Sequence, residues 1–155
     1  MLKKENAYFE NLYKIGQAFE TIRKAHEEKK ADLIEKYGYD SEEMKVWYEE
    51  KKEMTYPVPQ GACKAYRAWS QSLEREADEV EMDDFLWDRE VKDFVEALRG
   101  AEITSFIYTN TSTALMDNIH QLTEEGCEMT GLVKVERKNL WREPEEINGI
   151  RFTVC

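Results

Sequence analysis

From Tyr8 the apolar positions Tyr8, Leu12, Ile15, Phe19 and Ile22 recur at spacings of four and three, and the pattern continues more weakly through Leu33 and Tyr37 to Gly38. Side chains three and four apart share one helix face, so this spacing predicts a long amphipathic helix that Gly38 ends. Asp40 is placed to cap a second helix, with Glu43 completing a capping box and Met44, Trp47 and Tyr48 along its apolar side. Tyr56-Pro-Val-Pro-Gln-Gly61 cannot continue a helix, because each proline lacks an N–H and biases its predecessor toward extended geometry. It is the clearest internal boundary. A third helix follows on Ala62, Tyr66, Trp69 and Leu73, and a fourth on Trp87, Val91, Phe94, Val95 and Leu98, stopped by Gly100.

Beyond Gly100 the period changes. Ile103 to Thr109 is rich in β-branched and aromatic residues, Ala114 to Leu122 returns to helical spacing, and Gly126 ends that helix. Cys127, Met129, Val133 and Val135 keep a period of two, as does Ile150 to Val154, and Asn148-Gly149 is a tight-turn dipeptide just before this last strand. The pattern predicts an α+β fold in one domain, 1–155: a helical part over 1–100 and a small β-α-β-β unit over 101–155.

Charge changes what such a fold is expected to meet. The chain of 155 residues carries 33 acidic and 22 basic side chains, a formal net of −11. That surface repels phosphate backbones, and Lys29-Lys30 and Lys51-Lys52 are interleaved with glutamates rather than gathered into a basic patch. Direct nucleic-acid binding is therefore not expected. Cys63, Cys127 and Cys155 have no metal-type or disulfide-type spacing, no apolar run approaches membrane-spanning length, and Met1 to Asn6 is polar. These features lead us to expect a cytoplasmic protein that does not engage membranes, either a monomer or a homodimer.

The strand-to-helix turn offers one candidate site. Asn110, Thr111, Ser112 and Thr113 precede a helix whose free N–H groups suit a phosphate or carboxylate, but the same residue types are the preferred helix caps. Without a GxGxxG pattern or a P-loop lysine, capping is the expected role. Asp117 and His120 share a helix face but lack a second ligand pair, so no metal site or cofactor is expected. His26 lies on the long helix's stripe and is expected at its edge, ring packed and polar tip wet. Neither a GxSxG elbow nor a cysteine beside a histidine is present, so no catalytic residue is indicated.

The second candidate is acidic. Glu74 to Glu96 holds eleven acidic and three basic side chains in 23 residues. Within it Glu79, Glu81, Asp83, Asp84 and Asp88 surround Phe85 and Trp87, a combination suited to a basic partner protein. The alternative is a solvated face that confers solubility.

The stretches Thr109 to Met116, Gly126-Cys127, Gly131-Leu132 and Gly149 to Phe152 resemble the tail of small, acidic, uncharacterised proteins of bacterial mobile elements. The resemblance covers about the last 50 residues. It implies an accessory gene, a setting where anti-defence inhibitors are frequent, and brings no activity or catalytic residue with it. The sequence thus leads to a non-enzymatic binding protein that engages a basic partner, in its sharpest form an inhibitor imitating nucleic acid. An anion- or nucleotide-binding module on Thr109 to Thr113, and a helical protein that self-associates through the Tyr8 to Ile22 stripe, are the alternatives.

Overall fold

The computed structural model describes residues 2–139 and 141–155. By its contacts the chain divides into two compact units, Glu10–Val58 and a second made of Met1–Phe9 with Pro59–Cys155. The proline segment is thus a boundary between units as well as between helices.

The unit Glu10–Val58 contains most of helix α1 (Ala7–Tyr37) and all of α2 (Glu42–Glu53). α1 ends as its spacing predicts, with Gly38 at φ +83°, a left-handed conformation that costs glycine little. The cap of α2 is Ser41 rather than Asp40. Its hydroxyl accepts from the Met44 N–H at 3.2 Å and donates to the Gly38 carbonyl at 2.8 Å, so one short side chain joins the end of one helix to the start of the next. Inside the unit, Trp47 donates from Nε1 to the His26 carbonyl at 2.8 Å, and the two rings stack 4.6 Å apart. Phe19 meets Tyr56 edge to face.

The other unit holds α3 (Gln60–Glu74), β1 (Val80–Met82), a 3-10 turn (Asp88–Glu90), α4 (Val91–Gly100), β2 (Ser105–Tyr108), α5 (Leu115–Glu124), β3 (Cys127–Asn139) and β4 (Arg142–Val154). The four strands form one sheet in the order β1-β2-β4-β3, parallel between β1 and β2 and antiparallel elsewhere. The expected β-α-β-β unit is present as β2-α5-β3-β4, which confirms the α+β class. The segment 1–100, however, is not wholly helical. Val80–Met82 is a strand, and Trp87 precedes the 3-10 turn rather than lying in a helix. Three residues are too few to show a period. Val80, Glu81 and Met82 become a strand because Phe106, Ile107 and Tyr108 lie beside them as partners.

Alternation sorts the sheet into two faces. Val80, Met82, Phe106, Tyr108 and Phe152 are fully buried on one face; Phe94 of α4 meets Phe106 edge to face, and Phe106 stacks on Phe152 at 5.4 Å. α3 lies close against the start of α4 because Gly61 has no Cβ, which would clash with the Glu90 carbonyl oxygen and the Phe94 backbone nitrogen. Phe9, with no exposed surface, packs against Tyr66 and Trp69 of α3.

Two glycine expectations are corrected. Gly100 is the last residue of α4 rather than its left-handed stop; the reversal falls on Glu102 at φ +59°, and the Tyr8 ring occupies the space a Gly100 Cβ would need. Asn148-Gly149 is not a turn. Both lie within β4, opposite Lys134 and Val133, and a Cβ on Gly149 would come within 2.6 Å of Ile107 Cγ2. The dipeptide marks a close approach of side chain to backbone.

Candidate functional site

The acidic segment is not a uniformly solvated face: four of its carboxylates, Glu79, Glu81, Asp83 and Asp84, stand in ion-pair range of arginines. On the sheet face opposite the aromatic layer, Glu79 receives Arg151 at 2.7 and 3.2 Å on Oε2 and at 3.0 Å on Oε1, with the Ser105 hydroxyl donating to the same Oε1. The Arg151 hydrogen bonds hold the Glu79 carboxyl below the usual carboxylate range against the opposing effect of burial. Glu81, whose side chain is 7% exposed, is paired with Arg137 and lies 3.9 Å from Arg75. Arg75 also binds Asp83 at 2.8 Å. Arg137 stands on β3, at the opposite edge of the sheet from β1, so its side chain reaches back across the sheet face to Glu81. In this way two arginine stems cover a face that carries Ile107.

Cations from distant parts of the chain meet on this face. Arg75, Lys134, Arg137, Lys138 and Arg151 line one cavity of about 650 Å³, but so do Glu74, Glu76, Asp78, Glu79, Glu81 and Glu136. Arg75 directly follows α3 and the other four cations stand on β3 and β4 much later in the chain, so no local charge run could reveal them. The cations do not form a free basic patch, because glutamates and an aspartate neutralise the arginines in place.

The remaining predicted residues form the loop between β1 and α4. Its backbone is fixed by Lys64, which donates to Glu90 Oε2 and to the Phe85 carbonyl, both at 2.6 Å. The same Glu90 oxygen accepts the Trp87 N–H at 3.0 Å, and both side chains of the Lys64–Glu90 pair are 10% exposed. Leu86 is fully buried, which drives its neighbours outward. Trp87 is 45% exposed, Phe85 half-buried, and their rings meet edge to face at 4.5 Å. The Arg89 guanidinium lies 4.9 Å over the Trp87 ring. Asp84 caps the Phe85 N–H and stands 3.6 Å from Arg67; Asp88, exposed, caps the Arg89 N–H.

The turn after β2 adjoins this loop. The Thr109 N–H donates to the Met82 carbonyl at 2.9 Å, and Asn110 Nδ2 donates to the Asp83 carbonyl at 3.0 Å. The two candidates read as separate in the sequence therefore meet at the carboxyl ends of the parallel strands β1 and β2, the end at which open α/β sheets bind ligands. Hydroxyl capping of α5 is corrected: its N-cap is Ala114, without a side-chain bond, and Asn110 Oδ1 instead accepts the Ser112 N–H at 3.0 Å. The Ser112 hydroxyl is buried and has no hydrogen-bond partner among the described residues. Thr109, Asn110 and Thr111 line a cavity of about 520 Å³ with Lys134, Asn148 and Ile150, whereas Thr113 is exposed.

Asn118 was missed in the sequence. It is wholly buried and bonds from Nδ2 to both the Leu86 carbonyl and the Tyr108 hydroxyl, so it joins α5 to the loop and to β2. Burial foremost raises the Tyr108 hydroxyl above its ordinary pKa; Asn118 opposes this and the Asp84 charge adds to it. The sequence does carry a weak signal, a polar residue one position from the apolar line of Leu115, Ile119 and Leu122.

The other chemistries stay apart. Asp117 and His120 are exposed, and among the described residues no group of three or more His, Cys, Asp or Glu is placed to hold a metal. His26 is more enclosed than expected at 6% exposure, with Nε2 3.2 Å from Glu50. Burial pushes the Cys127 thiol up to about 11 and raises Cys63 as well, the opposite of an activated nucleophile. No helix among the described residues is long and apolar enough to cross a membrane.

Together these features define an α+β protein with a mixed four-stranded sheet, one face packed on helices and the other covered by ion-paired arginines, and an aromatic loop at the end of its parallel strands. The chain belongs to the family described as "Domain of unknown function (DUF7698)", whose model matches residues 64–154. That match takes in the sheet, the loop and the turn, and leaves out α1 and α2. No curated protein and no solved structure matches the chain.

Proposed function

We propose that this is a non-enzymatic binding protein that engages a basic partner protein through the loop Asp83 to Asp88. The observation that carries the reading is the 45% exposure of Trp87 on a backbone held by the buried Lys64–Glu90 pair. A large aromatic side chain on a preorganised loop loses little conformational entropy on binding, and such residues dominate protein interfaces. Asp84 and Asp88 flank it and supply attraction to a cationic surface, while Glu79, Glu81 and Asp83 serve the fold. The net charge of −11 favours a basic groove in the partner. An inhibitor that occupies a nucleic-acid-binding cleft, encoded on a mobile element and acting in the cytoplasm, is the sharpest form of this reading.

The test is affinity capture at low and high salt, followed by titration of the purified captured protein. Trp87→Ala is expected to weaken binding by more than tenfold, on the order of a hot-spot residue, and Asp84→Lys with Asp88→Lys to slow association and reduce the salt dependence. Binding unchanged in both variants sinks the proposal. A second reading rests on the cavity of about 520 Å³ beside Thr109 to Thr111, whose volume suits a small anion or nucleotide. A rise in melting temperature with phosphate or nucleotides, abolished by Thr111→Val and Lys134→Met, would favour it.

A further inference from the structure

The unit Glu10–Val58 exposes more large apolar side chains than it buries. Its buried apolar residues are Met44, Trp47 and Val58, while Tyr13, Ile15, Ile22, Tyr37, Tyr39, Val46, Tyr48 and Tyr56 are exposed. A helical pair of about fifty residues is close to the lower limit for a stable core. The exposed groups on α1 have a pattern. Leu12, Phe19, His26 and Leu33 follow one another at intervals of seven on the side that carries the ring contacts of Phe19 with Tyr56 and His26 with Trp47. Immediately beside that line runs a second stripe, Ile15, Ala18, Ile22 and Ala25, again at alternating three and four. All four are exposed, Ile15 at 37% and Ile22 at 59%. Lys14, Thr21 and Glu28 flank its far side, also exposed.

We infer that this stripe is a homodimer interface in which α1 packs antiparallel against α1 of a second copy. The occupant follows from self-complementarity. Antiparallel pairing about the middle of the stripe sets Ile15 against Ala25 of the second copy and Ala18 against its Ile22, so large meets small in every apolar layer. The same register places Lys14 beside Glu28 of the second copy, twice by symmetry, with Thr21 beside Thr21. A parallel pairing instead sets Ile on Ile and Ala on Ala, and turns Lys14 and Glu28 toward Phe19 and Leu33 of the second copy, where neither meets an opposite charge. Charge thus selects the antiparallel arrangement and the second copy together. The assembly carries two Asp83 to Asp88 loops, so a partner with repeated basic sites would be bound with avidity.

Sedimentation velocity of the full chain over about a hundredfold concentration range tests this by mass action. The wild type is expected to pass from monomer to dimer, and Ile22→Glu to raise the midpoint by at least about tenfold. Lys14→Glu and Glu28→Lys each weaken the dimer several-fold, on the order of an exposed ion pair taken twice, and the double variant restores it. Ile22 is exposed, so far-UV circular dichroism should show Ile22→Glu folded. A chain that stays monomeric, a dimer indifferent to Ile22→Glu, or charge reversals that the double variant does not repair would each overturn the inference. Leu132→Glu, on the edge strand β3, is the control. Loss of the dimer there but not in Ile22→Glu places the interface on the sheet and overturns it equally.

Discussion

Replacing Arg137 with methionine keeps the length of the apolar stem that crosses the sheet face and removes its charge. Glu81, 7% exposed, then loses its nearest cation and, among the described residues, retains Arg75 at 3.9 Å. Removing one partner of a buried pair costs about 3–5 kcal/mol, because the other charge is left buried without compensation. The surviving Arg75 offsets part of this, so Arg137→Met is expected to cost about 2–3 kcal/mol. For a chain of this size that lowers the melting temperature by roughly 4–12 °C. The double variant Arg137→Met/Glu81→Leu removes both charges and is expected to cost less than the single one, since nothing charged then remains buried and unpaired. Urea denaturation of the wild type, both singles and the double completes the cycle. If Arg137→Met costs under about 0.5 kcal/mol, as an exposed pair would, or if the two singles simply add, the assignment of Glu81 to the fold is refuted and its carboxylate returns to the candidates for partner binding.

The remaining predictions concern the loop and the pH response. Lys64→Met leaves Glu90 buried without its cation and frees the Phe85 carbonyl, so stability should fall by about 3–5 kcal/mol; in the folded protein at low denaturant, acrylamide should quench Trp87 more readily than in the wild type, read in a background where the other tryptophans are replaced by phenylalanine. Glu79 has a folded-state pKa below its ordinary value, chiefly through Arg151, so the folded state binds that proton less readily than the unfolded chain. The stabilisation is therefore fully present above the unfolded carboxylate value of about 4.3 and is lost as the pH falls through the folded pKa. Carbon-detected NMR titration should show the Glu79 carboxyl returning toward its ordinary value in Arg151→Met, and an unchanged midpoint would contradict the pairing.

Legibility in the sequence follows the range of the interaction. The spacing Tyr8 to Ile22 fixes α1 because every contact that makes it a helix lies within four residues. The prolines Pro57 and Pro59 keep the segment after α2 from continuing as a helix, and Gly38 reverses the chain because glycine adopts its positive φ at little cost. Local rules misplace Ser41 by one residue, since Asp40 is an equally good cap by type and only the path of the chain decides which oxygen reaches the Met44 N–H. Asn148-Gly149 misleads for a related reason. The dipeptide is permitted in a turn, and here the crowding of Ile107 against β4 requires glycine within a strand.

For the candidate site, the sequence determined the chemistry available: which segment is acidic, that Phe85 and Trp87 lie within it, and that Asn110 to Thr113 precede a helix. The tertiary structure decided which of those groups are spent and which are presented. Glu79 meets Arg151 across 72 positions of chain and Glu81 meets Arg137 across 56, pairings set by strand order that no local window contains. The same strand order brings Asn110 against the Asp83 carbonyl and Asn118 against Leu86, turning two separate readings into one end of a sheet. Composition sets how much charge a chain carries; only the fold, by choosing which charges are desolvated together, sets where that charge can act.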